Sequence, residues 1–295
     1  MKKTIICLLT FSATVLQSTA QTEINAIETG AANFLLITPD ARSAAMGGAS
    51  VAVSVGDNSV FHNSATAMLD DNRIGGISYT FTPWMREYQS GYSLNSLGGF
   101  YKFDERNALL ASFRYYNYPK IDEVSMGEAT GNTIRPKELA VDVGYAREIT
   151  MNCALSATVR YIHSDIGNLD DAKSAGAVAF DIGALYKREI LALEDASWAV
   201  GFKVGNVGSK LKYLEKKETL PAYAKLGGSI DLPFSYTHRL LVAADIGYRM
   251  APSDVNAANV SAGVEYTLIQ RFALRGGYHY GDKDTADASY STAGL

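Results

Sequence analysis

The sequence predicts an all-β protein, a transmembrane antiparallel β-barrel with an N-terminal plug segment, on three observations. From Arg73 to Leu295 one pattern recurs about a dozen times: some ~9–11 residues alternating apolar or aromatic with small, polar or charged, then a turn. Successive strand residues point to opposite faces, so each segment carries one apolar and one wet face. No stretch is long and apolar enough for a membrane helix. Tyrosine and phenylalanine border the apolar faces, and the 18 Tyr and 26 Gly suit membrane interfaces and tight turns.

The chain opens with Lys2 and Lys3, an apolar run from Thr4 to Leu16 and small residues before Gln21, the pattern of a secretory signal cut near Ala20. Residues 1–20 are therefore expected to be removed on export to a Gram-negative periplasm, leaving 21–71 as a plug or periplasmic segment and 72–295 as the barrel. Cys153 is then the one remaining cysteine, which excludes an intrachain disulfide. Loss of Lys2 and Lys3 takes 27 basic residues to 25 against 31 acidic ones, and the net charge from −4 to −6. No basic patch points to nucleic acid. A hydrophobic fraction of 47% suits a soluble protein equally well, because a barrel's apolar face is diluted by its lumen face.

Residues 21–71 do not alternate. Pro39 and the Gly47–Gly48 pair allow tight turns, and residues 58–69 are expected to form a short helix capped by Asn58 or Ser59. Alternation is then cleanest over 137–147, where Leu139, Val141, Val143 and Tyr145 oppose Ala140, Asp142, Gly144 and Ala146. A turn at 150–152 leads to Leu155, Ala157, Val159 and Tyr161 against Ser156, Thr158 and Arg160, which makes a hairpin. The same parity recurs over 198–205, 240–249, 260–266 and 272–279. A soluble β-sandwich shares this period. The export signal, strands longer than the usual ~5–6 residues and the aromatic borders weigh for the barrel.

On the wet faces Arg114, Asp142, Arg160, Asp181 and Lys203 fall on successive candidate strands and alternate in sign; Asp245, Glu265 and Arg275 continue less regularly. Opposite charges side by side form favourable cross-strand pairs, and these five are candidate lumen residues. A polar face with unordered mixed charge is the competing reading. Turns at 104–107 and 150–152 are short, whereas 120–136, 167–174, 210–221 and 282–287 are longer, an asymmetry that puts the long loops outside the cell.

The segment Phe34-Leu35-Leu36-Ile37-Thr38-Pro39-Asp40-Ala41-Arg42, followed by Met46-Gly47, Asn63-Ser64-Ala65 and Tyr79-Thr80-Phe81-Thr82-Pro83-Trp84, resembles the PorV/PorQ family, within the broader class of FadL-like barrels. Gly99-Phe100-Tyr101-Lys102, Ser112-Phe113-Arg114-Tyr115 and Arg160-Tyr161-Ile162-His163-Ser164-Asp165 resemble its strands, so the similarity spans most of the mature chain. Two departures stand out. The family's Asn-Pro-Ala is Asn63-Ser64-Ala65 here, without proline's rigid turn, and the text ends on Leu295 rather than on an aromatic strand end. About 12 strands are visible where the resemblance implies about 14. The expectation is a chain cut short at its C-terminus, or closure through the N-terminal segment or a smaller strand count.

The resemblance implies that the N-terminal segment lies in the lumen, with Phe34, Leu35, Pro39, Asp40 and Arg42 as candidate binding residues. Asp40 and Arg42 would pair with Asp142, Asp181 or Arg160, or Arg42 would cap a local turn. It implies an outer-membrane protein in contact with lipid, with a role in type IX secretion: binding secreted proteins by their C-terminal signal domains, with loops 120–136 and 210–221, alongside other secretion components. The FadL-like relationship implies instead a passage for small hydrophobic molecules with Phe100 and Tyr223 as stacking surfaces. A structural barrel unrelated to secretion is the third reading.

Catalysis is not expected. A barrel hydrolase needs a serine activated by histidine, and none of His62, His163, His238 and His279 sits in such a motif; His279 reads as a lumen hydrogen-bonding residue. Asp282, Asp284 and Asp287 lack the twelve-residue calcium loop, and Gly47–Gly48 has no flanking βαβ unit. No cofactor or metal is expected.

Overall fold

The computed structural model describes residues 31–69, 73–84, 90–125, 128–167, 174–213, 216–285 and 287–295. The expected signal segment 1–20 and residues 21–30 lie outside the described residues. Among the described residues sixteen strands follow in chain order: β1 Gly75–Pro83, β2 Ser93–Asp104, β3 Asn107–Asn117, β4 Ile121–Ser125, β5 Glu128–Ile134, β6 Lys137–Thr150, β7 Cys153–Asp165 and β8 Ala175–Glu189. The second half holds β9 Ser197–Gly208, β10 Leu211–Tyr213, β11 Lys216–Glu218, β12 Tyr223–Ser235, β13 His238–Arg249, β14 Ala258–Leu268, β15 Phe272–Tyr280 and β16 Tyr290–Gly294.

Twelve of these make one antiparallel meander in the order β1-β2-β3-β6-β7-β8-β9-β12-β13-β14-β15-β16. The remaining four form two small hairpins, β4–β5 and β10–β11. Stretches expected to be loops, 120–136 and 210–221, are thus largely hairpins, because each is long enough to pair with itself. Connections alternate in length along the meander. Residues 105–106, 151–152, 190–196, 236–237 and 269–271 close one rim, and the longer connections, hairpins included, gather at the other.

Side-chain burial is inverted relative to a soluble protein. Ile77 is 79% and Ile246 60% exposed on the outer face, while Asp142 and Arg160 are 0% and 2% exposed on the inner one. Aliphatic side chains left outside and charges taken inside belong to a sheet whose outer solvent is lipid.

The inside is occupied by residues 31–69. A 3-10 turn at Asn33–Leu36, helix α1 at Ala41–Ala45 and further 3-10 turns at Gly56–Asn58 and Ser64–Leu69 thread past the inner face. Asp40 accepts the Ser43 N–H at 2.8 Å and so caps α1. The helix expected over 58–69 is broken in two at Asn63. Its amide donates to Val51 O at 2.9 Å and Ala184 O at 3.0 Å while its side-chain oxygen accepts Ala65 N–H, which starts a new turn.

This one segment meets all twelve strands of the meander. It reaches β1 through Asn58 and Ser78, β2 through Phe61 beneath Gly98, β3 through Leu35 and Arg114, and β6 and β7 through Ser64 beside Gly144 and Thr158. Asn63 meets Ala184 on β8, Val51 lies under Gly201 on β9, and Ala52 O accepts Ser229 on β12. Ser50 meets Asp245 on β13, Arg42 meets Glu265 on β14, Gly47 lies against Gly277 on β15, and Ala45 O accepts Thr292 on β16. A stretch this short can touch every strand only if the sheet wraps round it. Gly277 is required there, since a Cβ would overlap the Met46 and Gly47 backbone, and Gly47 itself has φ +68°.

Candidate functional site

The five alternating charges share one layer inside the barrel. Antiparallel register sets Asp142 directly opposite Arg160, Ser112 opposite Asp142, and Gly183 opposite Lys203. Arg160 donates from Nε to Asp142 at 2.5 Å and in a fork from both Nη atoms to Asp181 at 3.1 and 3.0 Å. Arg114 reaches Asp142 at 3.3 Å, and Lys203 reaches Asp181 at 3.1 Å. All five are buried. Most remaining lone pairs and protons find partners as well: Ser112 donates to Asp142 at 2.6 Å, Lys203 to Phe61 O at 3.2 Å, and Arg114 to Leu35 O at 3.3 Å, while Arg114 Nε has none. A buried chain of charges is costly unless nearly all of its polar atoms are paired in this way.

Asn206 joins this layer and was not read from the sequence. It sits at φ +61° in β9, where the register against β8 shifts between Phe180 and Ile182. The bulge turns its side chain inward to accept from Arg160 and to donate to Pro221 O at 3.0 Å, while its N–H reaches Asp181 at 2.8 Å. The Gly205–Asn206 pair inside an otherwise alternating strand was the available signal.

Phe34, Leu35, Pro39, Asp40 and Arg42 do not converge on that layer. Phe34 stacks on Tyr116 at 6.0 Å, in an apolar cluster with Leu94, Ile162, Leu211 and Leu220 that lies under the β10–β11 hairpin. Pro39 O accepts Thr82 Oγ1 of β1 at 3.2 Å. Asp40 and Arg42, expected to meet Asp142, Asp181 or Arg160, pair elsewhere because their short helix stands beside β14–β16 and faces a different wall. Asp40 bonds His62, and Arg42 makes a two-bond fork to Glu265 at 2.8 Å, with Arg275 on the same carboxylate at 2.6 Å. Arg42 also donates to Ser54 O at 2.7 Å.

His62 is the second residue that sequence reading passed over. Its Nδ1 meets Ser50 Oγ at 2.8 Å and its Nε2 meets Asp40, so one imidazole ties three turns of the segment together. Burial alone would raise the Asp40 carboxyl, but the His62 charge and hydrogen bond, helped by the Ser43 N–H, outweigh it and hold Asp40 at about 2. His279 makes the same kind of chain, with Ser261 Oγ on Nδ1 at 2.9 Å and Asp287 on Nε2 at 2.9 Å.

Two cavities lie on either side of the segment. One of about 1300 Å³ faces the short-turn rim and is lined by Arg42, Lys187, Glu194, Asp231, Arg239 and Glu265 among others. The other, about 130 Å³, lies toward the long-loop rim between residues 35–51 and β12–β16. Tyr223 lines the smaller one, with Lys203 and Lys225 each 5.8 Å from its ring. Phe100 is 4% exposed and packed against the segment, so it presents no open stacking face.

Comparison with known proteins gives a family and a fold. The model of a family described as "Type IX secretion system protein PorV" matches residues 18–256. No curated protein matches the chain. Among solved structures, the Ralstonia pickettii toluene transporter TbuX aligns with a TM-score of 0.51 at 16% identity, covering 85% of this chain and 87% of that one. The Pseudomonas putida toluene transporter TodX gives 0.50 at 13%, with 82% and 83% covered, and the CymD monoaromatic hydrocarbon channel gives 0.51 at 13%, with 84% of each covered. Identities this low carry the barrel fold alone.

Proposed function

Because the chain belongs to the PorV family, we propose that it works in type IX protein secretion as an outer-membrane barrel that receives secreted proteins by their C-terminal signal domains and passes them to surface-attachment machinery. In this reading the signal segment is removed near Ala20, the long-loop rim faces outward, and residues 31–69 serve as a fixed plug. The β4–β5 and β10–β11 hairpins then stand at the docking rim.

Beyond the family match, the observation that carries this reading is the filled lumen. A barrel that hands on a partner at its rim is served by a rigid, filled wall, and the segment with its five-charge layer supports that reading. A hydrocarbon conduit needs an apolar path instead. The wall of the larger cavity mixes charged groups, Arg42, Lys187, Asp231 and Glu265 among them, with Leu185, Leu232, Phe234 and Leu241, so it is not a continuous apolar path, and passage of small hydrophobic molecules ranks second.

The test uses a strain lacking the protein. Secreted proteins bearing the C-terminal signal domain are expected to stay in the periplasm, and to reach the surface again when the full chain is supplied. A photo-crosslinker at the exposed Lys120 or Lys210 should then capture them. Undiminished surface display without the protein overturns the reading.

A further inference from the structure

The lining of the smaller cavity carries more cations than carboxylates. Arg114 of β3, Lys225 of β12 and Arg249 of β13 all line it. Arg114 is 2% exposed; its Nη atoms are bonded to Leu35 O and Asp142, but its Nε has no acceptor. Buried donors are normally paired, and leaving one unpaired is costly. Arg249 gives a single N–H to Thr285 O at 3.4 Å, and Lys225 lies over the Tyr223 ring.

The carboxylates nearby are only partly engaged. Asp287 takes His279 and Asn259, the latter at 2.8 Å, and its charge also acts on Arg249, while Asp245 Oδ1 is buried without a hydrogen-bond partner. Asp245, close enough to Lys225 to feel its charge, takes the Ser50 and Val51 N–H groups at 2.7 and 3.1 Å. Within the described lining itself, Arg114, Lys225 and Arg249 face the single carboxylate of Asp287, an excess of positive charge that a further anion would balance, and two guanidiniums favour a planar one.

Size and wall chemistry narrow the carrier. About 130 Å³ holds a carboxylate and a few atoms behind it, not an alkyl tail. The walls are mixed, with Ser50, His62, Ser261 and His279 beside Leu35, Ile37 and Phe61. Tyr223, Arg249, Asn259 and Tyr290 all lie at strand ends on the long-loop side, which sets the direction of approach.

We propose that this cavity binds a single carboxylate, the C-terminal carboxylate of a polypeptide docked at the long-loop rim. The choice of polypeptide rests on the secretion reading; the carboxylate chemistry rests on the cavity alone.

The experiment uses the full chain in lipid nanodiscs and, as probe, the C-terminal signal domain of a secreted protein with its native terminus or with that terminus amidated. Amidation is expected to weaken binding by about ten-fold or more. Arg249→Gln and Lys225→Gln should each lower affinity for the free acid toward that of the amide, leave the amide unchanged, and Arg249→Lys should retain most of the difference. Equal affinity for acid and amide overturns the proposal while leaving the secretion reading standing. If the domain does not bind in either form, that reading falls instead, and a titration with acetate against methyl acetate decides the site. Saturable acetate binding lost in Arg249→Gln supports it, and none overturns it.

Discussion

Arg160 is the side chain on which the inner charges converge, because its planar fork serves Asp142 and Asp181 at once. Arg160→Met keeps most of the volume but removes the fork, leaving Asp142 to Arg114 and Ser112, and Asp181 to Lys203 and the Asn206 N–H, with their negative charge under-compensated, at a cost of about 3–5 kcal/mol. The expected result is a matching drop in the denaturant midpoint of the detergent-solubilised barrel, read by the gel shift between folded and unfolded forms. Asp40 gives a pH-dependent counterpart. Its folded pKa of about 2 lies below the ordinary 3.8, so its contribution is fully present above pH 4 and is lost as pH falls toward 2. That loss amounts to about 2 kcal/mol. Asp40→Asn should flatten stability over this interval in an acid titration; an unchanged slope would show that the His62 contact contributes nothing. The alternation in sign from Arg114 to Lys203 was legible in the sequence because strand parity fixes which face each residue takes. The Asp40–His62 pair was not, since 22 residues of irregular backbone separate its members and no period relates them.

At the level of elements, strands were legible wherever one face is lipid and the other lumen, as over 137–147 and 240–249, because that contrast repeats every second residue. The N-terminal turns were not, because their shape is set by the walls they touch: Asn63 ends one turn and starts another only by reaching Ala184 on β8. The β10–β11 hairpin was hidden for a related reason, its Leu211 and the following Leu220 being apolar residues that fold inward over Phe34. Close approach of backbone to backbone makes a sharper prediction. Gly277→Val should force the Met46–Gly47 turn off β15 at about 1–3 kcal/mol, and protease should then cut within the segment in folded protein that resists it in the wild type. Asn206→Ala removes the side chain that fills the β9 bulge and leaves Arg160 short of one acceptor. We expect about 1–3 kcal/mol, measured by the same gel shift.

For the molecule as a whole, the fold class was legible because composition, strand length and aromatic borders agreed, whereas the two cavities depend on contacts between residues some 200 positions apart, as in Arg42 with Glu265. Excising residues 31–69 should leave a ring lined by Arg114, Asp142, Arg160, Asp181 and Lys203 with water between them. Planar-bilayer recordings are then expected to show steady conductance where the intact chain is silent; silence in both would mean the wall collapses without its filling. Order along the chain adds a last point. The filling is made before any of the strands that surround it, so it can serve as the mandrel on which each newly made hairpin is laid. A barrel built this way carries its own gauge: circumference is set by what the strands must reach inward to grip, and a miscounted or slipped hairpin would find no matching contact.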